Sequence, residues 1–259
     1  MPTPPEAKSP APAVTRAAAI LSLIAQEGRP LGLADIARRL DLAKSSTLNL
    51  CIALEQTGLL TRTELGYGLG RATVELGGAY VRGFDLIREF YRVCAASPVL
   101  QHELLQIAIL DGTSVLYLAR HEGRAPLRLS ATVGDRFPAT VTAVGAALLA
   151  EIDPAEVAAR FADPSTLPSW TAHSTHTVEG LLAKLADTRD RGYAVDEGET
   201  NAGVYGVAVV LPPRRSGDEP LALGASLMKP SATPEYVRTV VAALREAKEQ
   251  LTSPSLVVD

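Results

Sequence analysis

The chain has 259 residues, 47% of them hydrophobic and 21% charged, and its formal net charge at pH 7 is -4. A chain of this length can bury two modest cores, so two domains are favoured over one. Two cysteines argue against a disulfide scaffold, and no apolar run is long enough to span a bilayer, which argues against an integral membrane protein.

Residues 1–12 are rich in Pro and Ala and contain no apolar run. We therefore predict a disordered arm rather than a secretory signal, and a cytoplasmic protein. Cys51 and Cys94 fall in apolar helical patterns, which is typical of small buried side chains in a reducing compartment. The sequence contains no phosphate loop or dinucleotide fingerprint, and no cofactor is predicted.

Residues 13–72 follow the order of a winged helix-turn-helix. The predicted elements are, in chain order, a helix from Val14 to Glu27, a helix over residues 33–40, a helix opened by Lys44-Ser45-Ser46-Thr47, and two strands over residues 59–62 and 67–69. Gly28 and Gly58 follow the first and third helices, as expected where a helix ends. This order predicts sequence-specific binding to double-stranded operator DNA.

The third helix has two distinct faces. Helical spacing predicts that Thr47, Leu50, Cys51 and Leu54 face the core, and that Ser45, Asn49, Ile52 and Gln56 lie on the opposite face. Ser45 is a good N-cap, and the hydroxyl-rich start of the helix beside Lys44 offers donors to a DNA phosphate. Asn49, one turn further on, is placed to pair bidentately with adenine in the major groove.

The predicted DNA contacts lie on the third helix, on the helix before it and on the hairpin. They are Arg38, Lys44, Ser45, Ser46, Thr47, Asn49, Ile52, Gln56, Arg62 and Tyr67. Two alternatives stay open: an ordinary capped surface helix, and a solvated hairpin whose Arg62 and Tyr67 touch no phosphate.

The charge balance of the N-terminal part predicts an oligomer. Residues 1–80 hold eight Lys and Arg against seven Asp and Glu, whereas the remainder holds 17 against 22. Attraction to DNA grows with the number of phosphate contacts, so one copy of such a weakly basic domain binds poorly at physiological salt. Two copies on one DNA site are therefore expected.

Residues 73–97 are predicted to form a linker helix, or a pair of helices, with a role in dimerisation. Helical spacing places apolar side chains on one face, at Val74, Leu76, Tyr80, Val81, Phe84, Ile87, Tyr91 and Cys94. The aromatic positions are suited to pack against the same element of a partner chain. Packing only on their own domain is the alternative.

The pattern of residues 98–252 predicts an α+β domain. Residues 253–259 are predicted to form a tail. Strands are predicted at 104–110, 115–120, 127–131, 193–196, 204–211 and 221–228, and helices at 142–152, 154–161, 178–191 and 234–251. Strands grouped at the two ends with helices between them favour an antiparallel sheet with helices covering one face.

Six stretches, in this order, resemble the IclR family of bacterial transcriptional regulators. They are Thr15-Arg16-Ala17, Ala43-Lys44-Ser45-Ser46-Thr47, Tyr67-Gly68-Leu69-Gly70, Gly134-Asp135-Arg136-Phe137-Pro138, the stretch from Thr142 to Ala150, and the stretch from Arg191 to Glu199 followed by Gly203 and Val207-Ala208. The resemblance implies a winged helix-turn-helix, a linker helix that mediates dimerisation, and a GAF-like domain that binds a small effector. It also implies a dimer, or a dimer of dimers, on operator DNA.

The resemblance further implies where the effector binds, between the sheet and the loop that leads into the helix at Thr142. The implied contacts are Leu127, Val144, Gly145, Asp196, Glu199, Tyr205, Gly206, Ser226 and Met228. Gly145 lets a ligand approach the backbone, and the first turn of that helix offers free amides to a carboxylate. Asp196 and Glu199 add acceptors for a hydroxyl or amine; the alternative is a carboxylate pair in a loop that faces water.

The sequence departs from the family pattern at positions that bear on recognition. Asn49 stands where the family usually has arginine, so the operator can differ from the family norm. Gly206 stands where a small thiol or hydroxyl residue is usual. Because Gly206 and Met228 make the pocket wider and more apolar, we predict an effector with more apolar bulk than a two- or three-carbon acid.

Two other classes of function are weighed against a regulator with an effector. The first is an enzyme built on the C-terminal domain; His173 and His176 have a His-x-x-His spacing, but in a Ser/Thr-rich loop they make a weak metal site, and no metal or catalytic residue is predicted. The second is a DNA-bound structural or protein-interaction module whose pocket is empty.

Overall fold

A computed structural model of the chain describes residues 9–83, 85–123, 131–214 and 217–252. The chain folds into two compact units, Met1–Gly83 and Phe84–Asp259. Five predictions lie wholly or largely outside the described residues: the first eight residues of the arm predicted over residues 1–12, Phe84 of the predicted linker face, Leu127, the strand predicted over residues 127–131, and the tail from residue 253. The arm prediction was wrong at its last residue, because Pro12 begins the first helix.

The first unit has the predicted order of elements. It consists of helices α1 (Pro12–Glu27), α2 (Leu33–Arg39) and α3 (Lys44–Gln56), strands β1 (Leu60–Thr63) and β2 (Gly66–Leu69), and helix α4 (Arg71–Arg82). The two strands pair antiparallel, and Leu31 adds an isolated bridge to Tyr67. The core joins the three helices to the hairpin through Ile20, Ile24, Leu31, Ile36, Cys51, Leu54, Leu60 and Tyr67.

Gly66 explains how the hairpin packs against the segment before α2. Its φ is +129°, and a Cβ at this position would lie 2.2 Å from the carbonyl oxygen of Leu31. Only glycine allows this backbone approach, and the approach fixes the hairpin on the three-helix core.

The element predicted over residues 73–97 is a pair of helices. Helix α4 belongs to the first unit and has no buried residue. Helix α5 (Asp85–Ala96) belongs to the second unit, where it buries Phe90 and Cys94 and packs against the last helix, α9 (Pro234–Thr252). The apolar positions of this stretch are therefore split between an exposed helix and a buried one.

The second unit is an α+β domain built on one antiparallel sheet. Its strands are β3 (Leu104–Asp111), β4 (Ser114–His121), β5 (Arg136–Pro138), β6 (Ala194–Glu197), β7 (Val204–Leu211) and β8 (Leu221–Met228), and they run across the sheet in the order β5-β4-β3-β8-β7-β6. The remaining helices are α6 (Ala143–Ala150), α7 (Pro154–Arg160) and α8 (Val178–Arg191).

Helices cover both faces of the sheet, so the expectation of one covered face was wrong. Gly206 and Gly224 face α6, because a Cβ on either would approach Ala143 or Val144. The alternate residues Leu223 and Leu227 point to the other face and are also buried. Helix α9 packs on β7 and β8 there. Single-face coverage would have left alternating polar residues in β7 and β8, and both strands are almost entirely apolar.

Both cysteines are buried thiols, as predicted. Burial raises the pKa of Cys51 to about 11 and that of Cys94 to about 12. Both are therefore neutral and unreactive at physiological pH.

Candidate functional site

The outward face of α3 is the first candidate site. Ser45, Asn49, Ile52 and Gln56 are exposed, while Thr47, Cys51 and Leu54 are buried and Leu50 is partly buried. Among the described residues, the side chains of Ser45, Asn49 and Gln56 have no protein hydrogen-bond partner. The helix thus presents free polar groups on a rigid element, with the exposed apolar Ile52 and Leu48 between them.

The start of α3 differs in detail from the prediction. The N-cap is Ala43, and no side chain caps the helix. Ser45 therefore lies in the first turn with a free hydroxyl rather than serving as the cap. Lys44, the first residue of the helix, is exposed beside the unpaired amides of that turn.

Arginines flank α3 on two neighbouring elements. Arg38, at the end of α2, is exposed and forms an ion pair with Asp35 at 2.7 Å. This pair lowers the pKa of the Asp35 carboxyl. Arg62, on β1, lies with its guanidinium carbon 5.9 Å from the ring centre of Tyr67, a cation–π contact that orients it on the hairpin surface.

A half-open cavity between the sheet and the first turn of α6 is the second candidate site. Its volume is about 140 Å³, and its lining residues are Gln106, Tyr117, Ala131, Phe137, Thr142, Ala143, Val144, Trp170, Asp196, Thr200, Asn201, Val204, Gly206, Val207, Gly224, Ala225 and Ser226. A cavity of roughly 150 Å³ holds a benzene molecule. The space therefore suits a ligand built on one six-membered ring.

Two glycines on adjacent strands form the floor of the cavity. A Cβ on Gly224 would lie 2.6 Å from Cγ1 of Val144, and a Cβ on Gly206 would lie 3.2 Å from the Cβ atoms of Ala143 and Asp196. Any side chain at either position would enter the space that the cavity occupies.

Asp196 is the buried carboxylate of the cavity. It is 4% exposed, and its Oδ1 accepts hydrogen bonds from the amides of Glu199, at 2.6 Å, and Thr200, at 3.3 Å. Its Oδ2 accepts none from the described residues. Burial raises the pKa of the carboxyl, against the opposing effect of the bonds from Thr200 and Glu199 and of the charge on Lys184.

Three aromatic rings line the side of the cavity nearest to β4 and β5. Phe137 makes edge-to-face contacts with Tyr117, at 5.5 Å between ring centres, and with Trp170, at 5.1 Å. The pKa of the Tyr117 phenol is raised by burial first and by the charges of Asp196 and Asp135 second, so the hydroxyl stays neutral and able to donate. These rings supply a flat apolar surface with one polar group.

Comparisons with known proteins agree with this architecture. The model of the bacterial transcriptional regulator IclR C-terminal domain matches residues 78–253, and that of the IclR helix-turn-helix domain matches residues 13–64. The chain belongs to the IclR family of bacterial transcriptional regulators. It therefore has an N-terminal helix-turn-helix DNA-binding domain and a C-terminal effector-binding domain, which confirms the fold and the function predicted from the sequence.

Individual relatives cover most of this IclR-family chain. The HTH-type transcriptional regulator XynR of Escherichia coli K12 is 30% identical over 76% of this chain and 78% of its own length. The probable transcriptional regulator SauR of Cupriavidus necator is 32% identical over 79% and 81%. The crystal structure of an IclR homologue from Microbacterium hydrocarbonoxydans complexed with 4-hydroxybenzoate is 25% identical, covers 93% of this chain and 97% of its own, and has a TM-score of 0.76.

Two predicted DNA contacts of this IclR-family protein are corrected by their burial. Thr47 has no exposed surface, and its hydroxyl donates to the carbonyl of Ala43 at 3.1 Å. Tyr67 is 4% exposed and belongs to the core of the first unit. Neither side chain can reach a DNA backbone from these positions. The other eight predicted contacts keep at least part of their side chains at the surface.

The predicted effector contacts divide into two groups. Val144, Asp196, Gly206 and Ser226 line the cavity. Gly145, Glu199, Tyr205 and Met228 are not among its lining residues, and Leu127 lies outside the described residues. The sheet explains two of them: Tyr205 alternates with Gly206 and points away from α6, and Met228 lies at the end of β8 with 41% of its surface exposed.

Gly145 and Glu199 already make close contacts within the protein. A Cβ on Gly145 would lie 2.1 Å from the carbonyl oxygen of Ala139, and its amide already donates to Oγ1 of Thr142. Glu199 is 8% exposed, forms an ion pair with Lys184 and accepts the amide of Thr175 at 2.9 Å. The alternative of a water-facing carboxylate pair was also wrong, because both Asp196 and Glu199 are buried.

Sequence reasoning missed several lining residues, of which Gln106, Tyr117, Phe137 and Trp170 are the largest. Gln106 left a signal, as a polar residue inside the apolar run of β3. Phe137 lies in the stretch from Gly134 to Pro138, which resembles the family pattern.

No cluster of three or more His, Cys, Asp or Glu suited to a metal occurs in the part of the chain that the structure describes. His173 is exposed, and Nδ1 of His176 lies 3.0 Å from the carbonyl oxygen of Ser174. None of the described helices has the length and apolar character needed to cross a membrane.

Proposed function

We propose that this regulator binds operator DNA through the outward face of α3 and that a ring-sized small molecule in the cavity under α6 alters that binding. The proposed DNA binding rests on one observation. Helix α3 presents polar side chains without a partner among the described residues on one face, and its opposite face is buried. The effector part is supported by the cavity volume and by the relative solved with 4-hydroxybenzoate.

The proposed DNA contacts have distinct roles. Lys44, Ser45 and Ser46 bind phosphates at the start of α3, and Arg38 and Arg62 bind phosphates on either side. Asn49 and Gln56 read base edges, with adenine as the expected partner of Asn49, and Ile52 packs on a thymine methyl group. The proposed contacts are Arg38, Lys44, Ser45, Ser46, Asn49, Ile52, Gln56 and Arg62.

We propose that the chain acts as a homodimer, or a dimer of dimers, joined through α4. Helix α4 has no buried residue, and Val74 and Leu76 are 74% and 63% exposed. A second copy of α4 would cover these side chains and bring two weakly basic DNA-binding units to one operator. We further propose that it acts in the cytoplasm and has no catalytic role, since the relatives named above are regulators.

For the effector we propose an organic acid or similar metabolite that carries apolar bulk. The amides of Ala143 and Val144 in the first turn of α6 have no protein acceptor in the described part of the chain and are suited to a carboxylate. Titration calorimetry with aromatic acids, lactones and short keto acids tests the size of the effector. Tighter binding of the smallest acids would contradict this proposal.

The DNA part is tested by a mobility-shift assay on the DNA that flanks the protein's own gene, with wild-type, Asn49→Ala and Gln26→Ala chains. Asn49→Ala is expected to lose about 1–3 kcal/mol of discrimination at one base pair, whereas Gln26→Ala, an exposed change on α1, is expected to bind as the wild type does. A wild-type chain indifferent to DNA sequence at moderate salt would refute the proposal.

A further inference from the structure

Gln106 is a largely buried polar side chain whose amide opens onto the cavity. It is 6% exposed and lines the cavity, and no described residue makes a hydrogen bond to its amide. The cavity keeps the amide accessible, so in the free protein its hydrogen bonds are left to water, and a ligand with a matching group can take the place of that water. A ligand in the cavity would supply the hydrogen-bond partner that the protein does not give the Gln106 amide.

The sheet register places Gln106 far from Asp196. Asp196 on β6 lies opposite Gly206 on β7, and Gly206 lies opposite Ser226 on β8. Gln106 on β3 lies opposite Gly224, two residues before Ser226. The two side chains are therefore separated by three strand spacings, or roughly 14 Å between backbones, with the two floor glycines between them.

The two ends of the cavity differ in hydrogen-bonding character. Asp196 offers a carboxylate oxygen, which can only accept while it is ionised. Gln106 offers both a donor and an acceptor, and the neutral hydroxyl of Tyr117, which is also without a protein partner in the described residues, adds a donor on the strand next to β3. A ligand that satisfies both ends carries a donor at one end and an acceptor at the other.

We propose that Gln106 is a specificity-determining residue for the effector: its amide donates to an acceptor group at the end of a ring-sized ligand opposite the donor group that binds Asp196. This inference rests on the proposed effector function and deepens it. It assigns an orientation, with the donor end of the ring over Gly206 and the acceptor end over Gly224.

The test compares two ligands that differ only at the acceptor end. 4-Hydroxybenzamide and 4-methylphenol share the ring and the hydroxyl, but only the former carries an acceptor opposite the hydroxyl. Affinities are measured by titration calorimetry for the full chain in three forms: wild type, the near-isosteric Gln106→Met, and the matched control Gln250→Met on the exposed surface of α9.

The wild type is expected to prefer 4-hydroxybenzamide, and Gln106→Met to reduce that preference roughly ten-fold, with Gln250→Met retaining it. The ligand-free Gln106→Met chain is expected to unfold at the same temperature as the wild type or a higher one, because the amide makes no hydrogen bond to a described residue and methionine has nearly the same shape and is more apolar. A structural role for Gln106 would lower that temperature.

Two results would overturn the inference: a preference that persists in Gln106→Met, or a wild-type chain that binds neither compound. The mobility-shift assay without ligand separates either result from failure of the proposed function. A chain that binds operator DNA and fails the ligand test remains a regulator with a different effector class. A chain that binds no operator but passes the ligand test keeps the role of Gln106 and loses the regulatory proposal.

Discussion

The outward face of α3 and the cavity under α6 differ in how their functional residues are specified. The polar positions on α3 are exposed where the helical period places them, at Ser45, Asn49 and Gln56. In the cavity, side chains with equally suitable chemistry at Glu199 and Tyr205 point elsewhere. A surface face on one helix follows from local spacing, whereas a cavity depends on which strands are neighbours and on what each buried group already binds.

The largest expected effect tests how much a buried ion pair near the cavity contributes to the stability of the second unit. Lys184 and Glu199 form an ion pair with side chains only 10% exposed, and Nζ of Lys184 also donates to the carbonyl of Thr140 at 2.9 Å. Lys184→Met leaves Glu199 buried without its cation. We expect a loss of about 3–5 kcal/mol in the free energy of unfolding, measured in urea.

The matched control for Lys184→Met is Lys229→Met. Lys229 lies 3.8 Å from Glu197, with side chains 33% and 67% exposed, so its loss should change stability by less than about 1 kcal/mol. Equal losses in the two variants would mean that burial does not set the strength of the Lys184 pair.

The second prediction concerns Gly145, assigned to the ligand by resemblance and to the protein core by the structure. In Gly145→Ala the added Cβ meets the carbonyl of Ala139, and we expect a loss of about 1–3 kcal/mol or more in thermal or urea unfolding. Gly77→Ala is the matched helical control. A Cβ on Gly77 meets nothing within 4 Å, so this change should stabilise α4 by about 0.5–1 kcal/mol. A neutral Gly145→Ala that weakens only effector binding would restore the ligand role.

Much of the fold followed from sequence because its signals are local. Helix α8 and strands β7 and β8 have the predicted bounds, and Gly192, with φ +72°, ends α8 as a left-handed cap. Strand β5 was missed because three residues are too few for an alternating pattern. The second covered face was missed because no single strand reveals which helix packs behind it.

The cavity residues that the sequence revealed also differ physically from those that it did not. Asp196 and Gly206 were found through their resemblance to a family pattern, and both line the cavity. The role of Gly145 was missed because it depends on Ala139, six residues earlier but across a turn. Gln106 was missed because its signal, a polar residue in an apolar strand, does not show what the side chain faces until the register sets it opposite Gly224.

The third prediction contrasts two carboxyls whose pKa values are shifted in opposite directions. Burial raises the pKa of Asp196, so the folded chain holds this proton to higher pH than the unfolded chain does. Its contribution to stability is therefore greatest below the ordinary carboxyl pKa and is lost as the pH rises through the folded value. We expect Asp196→Asn to remove this decline, measured as urea midpoints from acid to neutral pH.

Asp196→Asn is also expected to weaken binding of 4-hydroxybenzamide roughly ten-fold or more, since a hydroxyl bonds more strongly to a carboxylate than to an amide. Asp35→Asn is the control of opposite sign. The hydrogen bond from Arg38 lowers the pKa of Asp35, so its contribution is present above the ordinary carboxyl pKa and is lost as the pH falls. The same pH slope change in both variants would contradict the assigned causes.

The smallest expected effect separates two neighbouring hydroxyls on α3. Thr47→Val removes a buried hydroxyl that bonds to the carbonyl of Ala43, and should lower the free energy of unfolding by about 0.5–1.5 kcal/mol without changing operator affinity. Ser45→Ala removes an exposed hydroxyl without a protein partner among the described residues. It should leave stability within about 0.5 kcal/mol of the wild type and weaken operator binding by about 1 kcal/mol. Weaker DNA binding by Thr47→Val at unchanged stability would contradict this expectation. It would mean that Thr47 becomes exposed when the protein binds DNA, which requires α3 to rotate.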